Sequence, residues 1–198
     1  MNSVILTKTY IEPPFCENEI LRYAACGEPD KEVLALLKEC INEIKNKLTY
    51  KICYTELPLK INGDVCDFEV FQFKSQKLAL HLGNSEKVVL FAATIGVEID
   101  RLIGKYGRIS PSKALIFQAI GTERIEALCN TFCTDIKKEY NKDLKPRFSA
   151  GYSDLALDTQ KDIFALLNPE RRIGLTLNSS LIMSPTKSVT AFVGIIEK

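Results

Sequence analysis

Tryptophan is absent from these 198 residues, histidine occurs once and methionine twice. The lone His81 rules out a histidine-rich metal cage and weighs against Ser-His-Asp or Cys-His catalysis. Charge is as sparse in sign as histidine is in number: 26 basic and 25 acidic residues leave a net +1, and no block of like charge occurs. A nucleic-acid groove needs a basic excess, so nucleic acid is not an expected partner. No apolar run is long enough to span a bilayer; the best, Val88 to Val97, is far too short. Met1 to Pro14 lacks the charged-then-apolar pattern of a secretory leader. Neither a Walker A sequence nor Gly-x-Gly-x-x-Gly is present, which excludes those two routes to nucleotide binding.

Seven cysteines are scattered without a framework, and their number is odd. Free thiols in a reducing cytoplasm are expected, with no disulfide and no metal. Cys129 and Cys133 are four apart on a helical stretch, but two ligands do not make a zinc site, and core packing is the simpler reading. Ser110-Pro-Ser-Lys113 and Ser184-Pro-Thr-Lys187 both match Ser-x-x-Lys. Their companion motifs are missing, so both count as chance.

What the chain does have is ordinary globular composition, nearly half hydrophobic. Residues 1–14 read as an extended lead-in. Glu17 to Cys26 reads as a short helix ended by Gly27, and Asp30 caps a second helix to about Leu48. Tyr50 to Leu57 alternates as a strand, with Tyr50, Ile52 and Tyr54 on one side. Asn62-Gly63 signals a hairpin, followed by a strand from Val65 to Phe73. A helix over Ser75 to Leu82 should end at Gly83. Lys87 to Thr94 reads as a buried strand. Ser110 and Pro111 open the longest helix, running to about Tyr140. Asp158 or Thr159 starts a helix to Leu167, and Ile173–Leu177, Leu181–Met183 and Lys187–Ile196 read as closing strands. The order implies an α+β fold with a mostly antiparallel, twisted sheet and flanking helices. The expected division is an N-terminal helical and extended region, 1–60, packed on a core of 61–198, one domain overall.

Arg147-Phe148-Ser149-Ala150-Gly151-Tyr152 concentrates a fixed cation, a glycine and an aromatic ring in six residues. Arg can grip a carboxylate through two parallel bonds, Gly admits close backbone approach, and Tyr offers a π-face. That is the chemistry of a cradle for a small zwitterion. On spacing alone a surface turn with an incidental Arg and a packing Tyr is the commoner reading.

Four pieces occur in order around that stretch: Phe91-Ala-Ala-Thr-Ile-Gly96, Gly121-Thr-Glu-Arg-Ile-Glu-Ala-Leu128, the Arg-x-x-x-Gly-Tyr of Arg147, Gly151 and Tyr152 leading to Leu157–Phe164, and Met183-Ser-Pro-Thr-Lys-Ser-Val189. Over roughly residues 65–195 the chain resembles the activation domain of vitamin B12-dependent methionine synthase. The resemblance implies binding of S-adenosylmethionine and its presentation to a corrinoid. In that family the corrinoid, once oxidised, is reduced by a flavodoxin-like or other low-potential donor and trapped by methylation. By similarity Arg147 pairs with the ligand carboxylate and Glu126 faces its amino or sulfonium group. Tyr152 lines the pocket beside Gly151, and Ser149 and Ala150 offer backbone groups to the adenosine. No residue is implied to be catalytic.

Two family features find no counterpart: an acidic contact in the N-terminal region and a tyrosine contact in a further C-terminal segment. No Asp-x-His-x-x-Gly sequence for cobalamin occurs either. The expectation is therefore a cytoplasmic, freestanding activation subunit that meets cobalamin only through a corrinoid-binding methionine synthase chain or related methyltransferase. Two alternatives stay open: a non-catalytic module docking on a corrinoid protein, and an unrelated small-molecule enzyme on an α+β scaffold.

Overall fold

The structure is a computed structural model that describes residues 4–196; of the expected lead-in, residues 1–3 lie outside the described residues. Four antiparallel strands form the central sheet in the order β1 (Leu6–Tyr10), β2 (Tyr50–Pro58), β6 (Ser85–Thr94) and β9 (Ser188–Ile196). The α+β class and the antiparallel sheet are as the sequence implied. β2, from the N-terminal region, lies inside this sheet and pairs with β6 from Lys51↔Thr94 to Pro58↔Lys87.

Both faces of the sheet are covered, which explains why β6 reads as a continuous apolar run rather than an alternation. Val88 to Ala93 are all fully buried. One face of β2, carrying Tyr50, Ile52 and Tyr54, packs with Phe91, Phe117 and Phe132. On that side lie α1 (Glu17–Tyr23), α2 (Lys31–Ile44), α4 (Glu98–Ile109) and the 30-residue α5 (Pro111–Tyr140). The opposite face, with Cys53, Leu57, Leu90 and Phe192, is closed by α3 (Gln76–Leu82), α6 (Thr159–Leu167) and α7 (Pro169–Ile173). Beside them sits the small meander β3 (Lys60–Asn62), β4 (Val65–Asp67) and β5 (Gln72–Lys74). The hairpin of β7 (Thr176–Leu177) and β8 (Met183–Ser184) leads into β9.

Several local expectations shift. α1 ends at Tyr23 with Ala25, not Gly27, taking the left-handed backbone (φ 55). Asp30 does cap α2, accepting from Val33 N at 2.8 Å, but the helix stops at Ile44 rather than Leu48. Asn62 pairs with Val65, so the hairpin turns on Gly63-Asp64, one residue later than Asn62-Gly63 suggests. The strand expected from Val65 to Phe73 is broken. Asp67 accepts from Glu69 N and Gln72 Nε2, closing a turn around the buried Phe68. α3 does run from Gln76 to Leu82 between the caps Ser75 and Gly83, as expected, and the left-handed residue that follows is Asn84 (φ 65). Ile173 ends α7 instead of opening a strand.

Past β9 the sheet gains a short fifth edge. Lys145 N donates to Gly194 O at 2.8 Å, and Phe148 and Phe192 exchange both backbone bonds. Residues 143–148 thus run antiparallel to β9, and this ladder carries Arg147 to α5.

Candidate functional site

Alternation along the 143–148 edge decides where its side chains go. Phe148 turns into the apolar layer on one face and is 4% exposed. Its neighbour Arg147 takes the other face and reaches α5. There Arg147 Nη2 donates to Glu126 Oε2 at 2.5 Å and Nη1 donates to Asn130 Oδ1 at 2.7 Å. Glu126 and Asn130 are four apart, one above the other on the helix face. Burial disfavours the Arg147 charge, but Cys129, Glu126 and Cys133 around it favour it, and the net shift is upward. The buried Cys129 thiol is pushed up to about 12, chiefly by desolvation.

The edge is pinned from behind by the only histidine. His81 Nε2 lies 2.7 Å from Pro146 O, and its ring meets Phe148 with centroids 5.2 Å apart. After Phe148 the chain turns tightly: Tyr152 N donates to Ser149 O at 3.2 Å and Gly151 N donates to Leu155 O at 2.9 Å. Gly151 sits at φ 80, and a Cβ there would come within 3.0 Å of Leu157 Cδ1, so a side chain would be strained twice over. Ala150 packs at the edge of the apolar layer. Tyr152 stands edge-on to Phe148 at 5.2 Å and is 66% exposed, so its ring is open to a visitor. Asp154 fixes the far side of the turn, accepting from Ser75 Oγ at 2.5 Å, a bond that holds its carboxyl below the usual range.

Two open grooves flank the Arg147–Glu126 pair. One, about 290 Å³, lies between α5 and the edge segment and is lined by Cys133, Lys137, Lys145 and Arg147. The other, about 300 Å³, lies between α1 and α5 and is lined by Glu19, Tyr23, Glu126 and Asn130. The remaining sequence motifs meet one turn earlier on α5. Lys187 Nζ donates to Thr122 Oγ1 at 2.9 Å, and burial lowers its pKa. Gly121 makes that crossing possible, because a Cβ there would stand 2.9 Å from both Ile99 Cγ1 and Lys187 Cγ. Thr186 N and Oγ1 donate to Asp100 at the start of α4, and Ser188 Oγ bonds Thr94 Oγ1 and Pro185 O.

Of the residues singled out in the sequence, Arg147 and Glu126 are in direct contact, and Ser149, Ala150, Gly151 and Tyr152 form the adjoining turn. Sequence reasoning missed Asn130, whose signal was its four-residue step from Glu126. It also missed a buried ion pair on α5. Arg124, 0% exposed, donates through Nε to Glu123 Oε2 at 2.5 Å and through Nη2 to Glu123 Oε1. It also donates to Pro13 O at 2.5 Å and Pro14 O at 2.7 Å, beneath the Phe15 ring. That clamp holds the N-terminal segment, and hence α1, against the helix that carries Glu126. Among the described residues no three His, Cys, Asp or Glu side chains gather as a metal site, and no helix is long and apolar enough to cross a membrane.

Residues 77–197 match the family model described as the activation domain of vitamin B12-dependent methionine synthase. Among solved structures, the chain is similar to the MetH reactivation domain bound to AdoHcy. That match has 17% identity and a TM-score of 0.69 and covers 96% of this chain and 78% of that one. At that identity the likeness shows the fold. No curated protein sequence matches the chain.

Proposed function

Since the chain belongs to the vitamin B12-dependent methionine synthase activation domain family, we propose that it binds S-adenosylmethionine and presents it to a corrinoid carried by a separate methionine synthase or related methyltransferase. The observation that carries this reading is the contact of Arg147 with Glu126, on the edge segment that leads into the turn bearing the exposed Tyr152. A guanidinium and a carboxylate on one spot match the carboxylate and ammonium of an amino-acid head group. An open aromatic face suits a sulfonium. The solved reactivation domain with AdoHcy bound supports the same ligand class here.

The corrinoid is assigned to a partner in this reading, which the lack of an Asp-x-His-x-x-Gly sequence in these 198 residues supports. What this chain supplies is binding, orientation and electrostatics. Arg147 fixes the carboxylate end, Glu126 balances the ligand's positive charge, and the Ser149–Tyr152 turn flanks the adenosine. The methyl group leaves the sulfonium, the bonding pair stays on sulfur, and a neutral thioether remains. When present on the partner, a corrinoid kept reduced by a flavodoxin-like or other low-potential donor would supply the electron pair that accepts this methyl group. Residues 1–60 and 61–198 act as one domain in this reading, supported by β2 lying inside the sheet and Arg124 anchoring the lead-in. The setting is the cytoplasm, supported by seven scattered cysteines without a disulfide framework.

The experiment is an absorbance time course of the oxidised corrinoid partner, omitting one component at a time. Methylated corrinoid is expected only when this protein, S-adenosylmethionine and the electron donor are all present. Equal reactivation without this protein overturns the reading. A second reading, a non-catalytic module docking on a corrinoid protein, draws on the engagement of both terminal nitrogens of Arg147 by α5. Docking without reactivation selects it.

A further inference from the structure

Arg147 has five N–H donors, and the terminal pair best suited to a carboxylate is already engaged. Nη2 is on Glu126 and Nη1 on Asn130. A ligand carboxylate seeking two parallel bonds on that edge must first displace Glu126. The displaced carboxylate stays close by, because its backbone is fixed in the middle of α5. It then needs a cation. An α-amino acid head group brings one, a single carbon away from its carboxylate.

We propose that the Arg147–Glu126 ion pair is an exchange latch that selects ligands carrying both a carboxylate and an α-ammonium group. The ligand carboxylate replaces Glu126 on Arg147, and the ligand ammonium takes Glu126. One ion pair becomes two. A ligand with only the carboxylate trades one pair for another and leaves Glu126 without a partner, so it gains nothing. Each terminal nitrogen carries two hydrogens, so Asn130 keeps one Nη1 hydrogen while the ligand takes the other, and the guanidinium remains docked on the helix. The grooves add an independent observation. Arg147 lines the groove on one side of the pair, while Glu126 and Asn130 line the groove on the other. The pair therefore stands where the two grooves approach each other on α5. The half-exposed state of both side chains, 23% and 38%, leaves the pair reachable from solvent.

This inference rests on the reading of the site as one for S-adenosylmethionine and its demethylated product. The test titrates AdoHcy, and the analogue in which its α-ammonium is replaced by hydrogen, into the wild-type protein and Glu126→Gln. In the wild type, AdoHcy should bind more than about tenfold tighter than the desamino analogue, the scale of one lost charged hydrogen bond. In Glu126→Gln the order converges from both sides. AdoHcy weakens, and the desamino analogue tightens at least about threefold because no carboxylate competes for Arg147. Glu126→Ala should show the same crossing and serves if the Gln variant folds poorly. A desamino analogue that binds the variant no tighter than the wild type overturns the latch while leaving the site intact. A wild type that binds neither ligand overturns the latch and the site together.

Discussion

His81 Nε2 lies 2.7 Å from the carbonyl oxygen of Pro146, 65 residues further on. A carbonyl only accepts, so Nε2–H is the donor in this bond. The bond ties α3 to the residue immediately before Arg147, and the same ring packs on Phe148 immediately after it. The histidine thus acts on the site by fixing backbone. His81→Ala should cost about 0.5–1.5 kcal/mol of stability, the net worth of one ordinary hydrogen bond. It should also weaken S-adenosylmethionine binding several-fold, because the edge carrying Arg147 is less well pre-ordered. Chemical melts and calorimetry on the same variant check both parts; unchanged affinity would show that the edge needs no such support.

The Arg124–Glu123 pair gives the largest expected stability effect. Arg124→Met keeps the length of the side chain but leaves a buried carboxylate unpaired and the Pro13 and Pro14 carbonyls without a donor. Stripping one partner from a buried pair costs about 3–5 kcal/mol. In a chain of this size that is a fall in Tm of roughly 10 °C. Adding Glu123→Leu should recover part of the loss, because the stranded charge is gone while the two carbonyls stay bare. Thermal melts of the single and double variants provide the comparison, and a double variant less stable than Arg124→Met would contradict it.

The thiols should separate by depth. Cys16 is exposed and Cys26 and Cys133 are half-buried, whereas Cys40, Cys53, Cys66 and Cys129 are buried. Burial pushes the Cys40, Cys53 and Cys66 thiols up to about 11 and Cys129 to about 12. Alkylation needs the thiolate, so at pH 8 these four should resist a thiol reagent in the folded protein. Cys16 should react first. All seven should react in denaturant after reducing purification, and protein prepared without added zinc should carry none. Mass spectrometry of the labelled chain reads the order; rapid native labelling of Cys129 would contradict the packing described above.

Much of the fold was legible because local signals and burial agree. Ser110 and Pro111 announce α5, although Ser110 makes no side-chain cap bond. Val88 to Phe91 announce a strand buried on both faces. Gly83 ends α3 as its position suggests, whereas Gly27 misled, because permission was taken for requirement: it allows a left-handed turn, but Ala25 makes it. The candidates Arg147, Glu126 and Tyr152 were singled out through the family's motif, and the structure brings the first two into contact. Asn130 and the Pro146–His81 tie were not, since nothing in a linear spacing says that residues 143–148 will pair with β9. The Glu123–Arg124 pair was hidden for a different reason. Neighbouring charges on a helix usually face solvent, and only the fold shows that the lead-in covers them.

The central claim, that Arg147 holds the carboxylate of S-adenosylmethionine, is tested most directly by calorimetric titration of that ligand into wild type, Arg147→Lys and Arg147→Ala. Wild type should bind at one site per chain. Arg147→Ala should bind more than about tenfold more weakly, as the loss of a charged hydrogen-bonding partner worth about 1.5–3 kcal/mol requires. Arg147→Lys should recover only part of the affinity, because lysine lacks the planar fork. Equal affinity in wild type and Arg147→Ala would contradict the claim.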